Sequence, residues 1–369
     1  MQIDLILHDF SISNALGNII DNSKNQHMNK FLKFSLIALT LTLFISCDNK
    51  NDEKIVNVYT HRHYKADDQL FAKFTEETGI KVNIVNASAD ELIQRLETEG
   101  KNSNADILIT VDAGRLYRAQ SKGLLQPISS KKLETNIPSN FREKDGHWFG
   151  ITYRARIIAY SKDRVDPTNL KDYEDLTNPE WKGKVVIRSS ENIYNQSLLA
   201  SIIDAEGEED AEEWAKGVVE NFARNPKGSD RDQVKAVASG EGDIAVVNTY
   251  YIGLLLNDEN EEERKAGESV GIIFPNQDNR GTHINISGIG VTRYAPHKEN
   301  AVLLMEFLSG VESQQTLANL NYEYPINPDA SKAAILRTWG DFKTDDIELI
   351  KLGELNSEAV KIFDEAGWK

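Results

Sequence analysis

The sequence predicts an α/β fold of two lobes. Three observations carry that expectation. Strand-like apolar runs alternate with helix-like periodic stretches, the alternation restarts midway, and 369 residues suit two domains of ordinary size. No Pro-rich or low-complexity linker separates the halves. Crossovers by strands are therefore expected, and these suit a hinged cleft.

Ile55–Tyr59 (IVNVY) is a β-rich run. Asp67–Thr78 carries Leu70, Phe71 and Phe74 at helical spacing, and Gly79 stops it. Ile80–Asn86 reads as a second strand and Ala89–Glu99 as a helix with Leu92, Ile93 and Leu96 on one face. Ala105–Val111 is a third strand, and Gly114–Lys122 a helix with Leu116 and Ala119 inward. This succession predicts βαβ units and a mostly parallel sheet. In the second half Gly150–Ser161 is a long strand and Lys184–Ser190 another. Helices are expected over Asn192–Ala205, Trp214–Ala223 and Asp232–Ser239, then a strand over Asp243–Asn248. Ile286–Ala295 is a later strand, Lys298–Leu308 a helix, and Asp345–Ala366 a closing helical segment.

The formal net charge of −16 argues against a nucleic-acid partner, which requires a basic face. The acidic runs Glu206–Asp210 and Glu259–Glu263 lack calcium-loop spacing and read as solvated helix faces or loops. The chain has one cysteine, Cys47, so no intrachain disulfide forms. Met28–Lys33 is basic, Ser35–Ile45 is apolar, and Ser46-Cys47 follows. That order is an export signal, its apolar run well short of the roughly 20 residues a membrane span needs. It resembles a bacterial lipoprotein signal, with lipid on Cys47, although Phe44 stands where Leu is usual. Residues 28–46 are therefore read as signal peptide, and residues 1–27 as an upstream extension outside the fold.

Tyrosines fall at three strand-to-helix turns. Tyr64 follows His63 after the first strand, Tyr194 lies in IYNQS, and Tyr250 and Tyr251 stand together in VVNTYYIG. In open α/β sheets ligands bind beyond the carboxyl ends of strands, where helix N-termini offer free N–H groups. Tyrosine is not a preferred residue of such turns. A phenol ionises only near pH 10, but a highly charged cation stabilises the phenolate. Phenolate oxygen is a hard donor suited to ferric iron, whereas HExxH, paired cysteines and His-rich tracts, which suit zinc, are absent. Four phenolates on Fe³⁺ leave one excess negative charge, which Arg62 and Arg154 or Arg156 can balance. Enzyme signatures such as G-x-S-x-G or a glycine-rich phosphate loop are lacking, so no catalysis is expected.

These stretches, with RARIIAYSKDRV, FPNQDNRGTHINISGIGV and EAGWK, resemble the ferric-iron-binding proteins of bacterial ABC importers, in the branch rich in tyrosine ligands. The resemblance runs from about Val56 to Lys369. It implies a type II periplasmic-binding-protein fold, each lobe a mixed sheet flanked by helices, with hinge strands between. Lobe 1 is expected over 55–153 plus 284–330, and lobe 2 over 154–283 plus 331–369. It implies Tyr64, Tyr194, Tyr250 and Tyr251 as iron ligands, with His63 a ligand in some members only. Another branch uses a carboxylate, whose place falls near Val111; Asp112 is its neighbour. The implied protein is a monomeric, membrane-anchored lipoprotein that captures Fe³⁺ as cargo for an ABC permease and its ATPase. The alternative is a protein of the same fold for an organic or oxyanion ligand, held by arginines and helix N-termini.

Overall fold

The computed structural model describes residues 54–62 and 64–369. Cys47, His63 and the segments 1–27 and 28–46 lie outside the described residues. The first elements are β1 (Ile55–Thr60), α1 (Lys65–Thr78), β2 (Lys81–Asn86), α2 (Ala89–Glu99), β3 (Ile107–Val111) and α3 (Ala113–Ser121). Each forms where the pattern requires it. In α1, Leu70, Phe71 and Phe74 are buried, each contributing about 1.5–3 kcal/mol of burial. Gly79 ends the helix in the left-handed region at φ 70°, a conformation that suits glycine. Ser88 and Glu91 form a reciprocal capping box at the start of α2.

After α4 (Lys131–Asn136) comes β4 (Phe149–Ser161), then β5 (Val185–Val186), α5 (Ile193–Glu206), α6 (Glu208–Glu220) and α7 (Asp230–Ser239). Next are β6 (Ile244–Asn248), α8 (Thr249–Leu256), α9 (Glu261–Ser269), β7 (Val270–Ile273) and β8 (Ile284–Val291). The chain closes with α10 (Lys298–Leu308), α11 (Val311–Asn321), β9 (Tyr324–Pro325), α12 (Ala334–Thr338), α13 (Lys351–Glu354) and α14 (Asn356–Glu365). Among the described residues no helix is long and apolar enough to cross a membrane. The acidic runs start helices: Glu208–Asp210 lie in the first turn of α6 and Glu261–Glu263 in that of α9. Negative charge there complements the helix dipole.

The strand order is β2-β1-β3-β8-β4-β6-β5, with β7 and β9 also on β4. β1 runs parallel to β2 and β3, and β5 to β6. β8 is antiparallel to both β3 and β4, and β4 is antiparallel to β6, β7 and β9. The sheet is thus mixed, not mostly parallel, because the late strand β8 inserts antiparallel between the early βαβ array β2-β1-β3 and β4. β4 is shared along its length. Its Phe149–Ala155 part pairs with β8 and its Arg156–Tyr160 part with β6.

Two expected elements are shorter than their patterns. The strand at Lys184–Ser190 is only Val185–Val186, because the chain then leaves the sheet toward α5. The closing helical segment is two helices, α13 and α14, and Asp345 is instead held by Thr282, whose carbonyl accepts its N–H at 2.9 Å. Trp368 closes the chain against Trp214, Phe222 and Phe363, with ring centroids 5.9, 5.0 and 4.7 Å away. Its indole N–H donates to the Arg188 carbonyl at 3.1 Å.

Candidate metal site

Three helix N-termini carry the four tyrosines. Tyr64 is the N-cap of α1, Tyr194 is the second residue of α5, and Tyr250 and Tyr251 are the second and third of α8. The N-caps of α1 and α8 make no side-chain capping bond, although such bonds stabilise helices by about 1 kcal/mol. At α1 the cap position is given to a phenol. At α8 the preceding strand β6 is buried throughout, which fixes where the helix begins.

Tyr194 and Tyr250 bring their hydroxyl oxygens to 3.3 Å. The rings of Tyr250 and Tyr251 lie 4.1 Å apart between centroids, tilted by 32°. Two consecutive phenols therefore share one locality, because they occupy the first turn of a helix that starts abruptly after a buried strand. Tyr64 joins them electrostatically. Burial pushes its pKa well above 10, as do the charges of Glu323, Tyr194 and Tyr251, while Arg62 opposes the shift. Burial likewise raises Tyr250, reinforced by Tyr194, Tyr251, Tyr64 and Asp230. Burial raises Tyr251 too, with Tyr194 and Asp230 adding and a bond from Tyr250 and the charge of Arg188 opposing. Each phenolate would repel the others. Tyr64, Tyr250 and Tyr251 stay protonated unless a cation of high charge is placed among the oxygens.

Arginines surround the cluster. Arg62 lies 4.7 Å above the Tyr64 ring, and Arg154, Arg156 and Arg188 lie 5.5, 5.8 and 5.6 Å from the Tyr194 ring. Most are already committed. Arg62 holds Asp67 with two bonds, at 3.0 and 2.8 Å. Arg156 bonds Asp230 at 2.7 Å and Asn195 at 2.8 Å. Asp230, fully buried, also accepts from the Asn248 N–H at 2.8 Å and from Arg188 at 3.4 Å. That carboxylate ties α7 to the start of α8. Arg154 differs. It is 1 % exposed, its two terminal nitrogens have no hydrogen-bond partner, and its nearest carboxylate oxygen, on Asp112, is 3.9 Å away. It lines a narrow interstice with Asp112, Arg156, Tyr194, Asn248, His283 and Asn285. His283 there is held neutral, its pKa lowered to about 3 by burial and then by Arg154, Arg156 and Arg280.

Val111 is a buried apolar residue of β3, and Asp112 caps α3 in the left-handed region at φ 86°. The Asp112 carboxylate accepts from Gly114 N–H at 2.9 Å, Ser197 hydroxyl at 2.8 Å and Asn285 amide at 2.8 Å. Its oxygens are therefore used in fixing α3 to α5 and β8. Reading the sequence missed Arg188, Asp230 and Glu323. Arg188 had a signal, since it follows β5 at the ligand-binding end of that strand. Asp230 and Glu323 had none, because only the tertiary fold brings them near the phenols. Among the described residues, Glu143, Asp145 and His147 form a group able to hold a metal ion. It lies in the turn before β4 and includes none of the tyrosines.

The sequence matches the family model described as bacterial extracellular solute-binding protein over residues 69–344. It is 50% identical over 322 residues to iron uptake protein A1 of Synechocystis sp., spanning 87% of this chain and 89% of that relative. A ferric binding protein from Campylobacter jejuni superposes with a TM-score of 0.82 at 52% identity, over 85% of this chain and 100% of that one. A Trichodesmium protein in complex with iron and citrate ligands gives a TM-score of 0.83 at 49% identity, over 85% and 100% of the two chains.

Proposed function

The chain belongs to the bacterial extracellular solute-binding proteins, and we propose that it captures ferric iron among the phenols of Tyr64, Tyr194, Tyr250 and Tyr251. The iron is cargo for an ABC-type importer, and ligand exchange is the only chemistry. The carrying observation is the 3.3 Å approach of the Tyr194 and Tyr250 hydroxyls beside Tyr251. On binding, each phenol releases its proton and the cation offsets the mutual repulsion of the phenolates. His63 is proposed as a fifth, neutral donor, next to Tyr64 in the chain.

Arg154 is proposed to balance the excess negative charge of the loaded site. Its free nitrogens line, together with Tyr194, an interstice too narrow to admit a water molecule, which favours a fixed counter-charge over an anion seat. Arg62 shares that role only partly, since Asp67 already neutralises it. The same pairing weakens the alternative of an organic or oxyanion ligand, because Arg62 and Arg156 have no free fork to offer.

The lobes are proposed as 55–153 with 284–330, and 154–283 with 331–369, hinged on β4 and β8. What supports this division is that β4 pairs with β8 on one half and β6 on the other. Closure of such lobes around a ligand is a hinge motion. The protein is exported, and lipid on Cys47 is proposed to anchor it as a monomer near the permease and its ATPase.

The test is to add ferric citrate to the iron-free protein and record the visible spectrum. A phenolate-to-iron charge-transfer band, with one iron per chain by metal analysis, is expected. Iron bound without that band would overturn the tyrosine site.

A further inference from the structure

The ligand-bearing helices α1 and α8 are not adjacent in the chain, yet one helix touches both. α11 packs along α1 and also meets α8. Its end is unusual. Helices commonly stop with glycine in the left-handed region, where a Cβ is unfavourable. α11 stops instead with Tyr322, at φ 57° and ψ 27°. A bulky residue is an outlier there, and such strain persists only where surrounding contacts hold it.

The contact that holds it is on α8. Gly253, one turn after Tyr250, lies directly against the Tyr322 side chain. A Cβ added at Gly253 would fall 2.5 Å from the Tyr322 Cβ and 2.7 Å from its Cγ. The two positions are matched, a glycine facing a phenol. The next residue, Glu323, is 1 % exposed and turns inward, where Ser287 donates to its carboxylate at 3.0 Å. Its charge reaches Arg62 and Tyr64. One turn, Asn321–Glu323, therefore touches the Tyr250–Tyr251 helix on one side and faces the Tyr64 corner on the other.

We propose that Tyr322 is a positioning residue for the metal site, packing on Gly253 to set the first turn of α8 against the Tyr64 corner. The inference rests on the ferric-iron reading above. In the proposed division Tyr322 belongs to lobe 1 and Gly253 to lobe 2, so the contact forms across the cleft. Tyr322 touches no iron itself. It acts through the placement of Tyr250 and Tyr251.

The experiment uses the exported chain with Tyr322→Ala, Tyr322→Phe, Gly253→Ala and the double variant Gly253→Ala/Tyr322→Ala. Each is titrated with ferric citrate against a competing chelator, with the charge-transfer band, iron release rate and melting temperature recorded. Tyr322→Ala is expected to release iron about tenfold faster with a shifted band, in the range of coupling between touching residues. Tyr322→Phe keeps the ring and matches the parent. Gly253→Ala weakens binding by clash, and the double variant regains part of that loss because the obstructing ring is gone. If Tyr322→Ala keeps the parental band and release rate while only its melting temperature falls, the residue is structural and the proposal fails. A parent that gains no band overturns the ferric reading and this inference together.

Discussion

The hydroxyl of Tyr194 lies 3.3 Å from that of Tyr250, across 56 positions of sequence. The two phenols enter from different helices, α5 and α8, whose N-termini share the Asp230 neighbourhood through Asn195, Arg156 and Asn248. Two neutral phenols tolerate this distance with one shared hydrogen bond. Two phenolates do not, unless a cation lies between them.

Tyr250→Phe and Tyr251→Phe each delete one anionic donor and keep the ring. Even side chains that only hydrogen-bond a metal's ligands are worth about ten- to a hundredfold in affinity, so removing a direct donor should cost each variant more than about a hundredfold. Circular dichroism should stay native and the melting temperature within a few degrees. Variants that melt far lower yet bind iron normally would make the pair a packing feature.

Iron affinity should rise with pH through the neutral range. The free protein keeps Tyr64, Tyr250 and Tyr251 protonated, since burial raises all three, so each must release a proton to bind. The same raised values bear on the iron-free fold. Their stabilisation is fully present below the unfolded phenol pKa of about 10 and is lost as pH climbs toward the folded values. Chelator competition at several pH values checks the first point, and alkaline melting curves the second. A flat affinity between neutral and mildly acidic pH would count against tyrosinate ligation.

His283 sets an acid limit. Its folded pKa is depressed to about 3, against about 6.5 when free, so the unfolded chain gains a proton that the folded chain refuses. Its stabilisation is present above pH ~6.5 and is lost as pH falls toward 3. Replacing it by Gln should flatten the fall in melting temperature between these limits. An unchanged acid profile in His283→Gln would assign that fall to other groups.

His63→Ala should weaken ferric binding less than Tyr64→Phe, because a neutral donor stabilises the cation less than an anionic one. Both are titrated against the same chelator. The reverse ranking would make the histidine a principal ligand.

Cys47→Ser should abolish lipid attachment and leave the protein soluble or with its signal uncleaved. Fractionation and intact mass give the answer. Stable membrane attachment normally takes two or more acyl chains, so none should survive without the thiol. Membrane-bound Cys47→Ser would refute the anchor.

The helices were legible where local chemistry decides. Leu92, Ile93 and Leu96 declared the inner face of α2, and Lys298–Leu308 has the bounds its pattern predicted. The positions of Tyr64, Tyr194, Tyr250 and Tyr251 at strand-to-helix turns were legible too, because turn position follows from periodicity. Strand direction was not. Nothing in the composition of Ile284–Val291 says that it runs antiparallel between β3 and β4. Glu323 was equally silent. Its proximity to the Tyr64 corner depends on α11, a helix the pattern reading did not resolve, ending in a strained Tyr322. The break between α13 and the preceding loop came from Thr282, sixty-odd positions upstream, which pairs with Thr344 and captures Asp345.

The central place of β8 has a consequence for how the chain is made. β3 and the first half of β4 do not pair with each other; both pair with β8. Until residues 284–291 have been synthesised, the early strands lack their shared partner and the sheet has a gap at its middle. Such long-range pairing is slow, because loop closure must precede the contacts that reward it. The shared partner of β3 and β4 is thus available only once most of the chain has been made, and the middle of the sheet closes last in the order of synthesis.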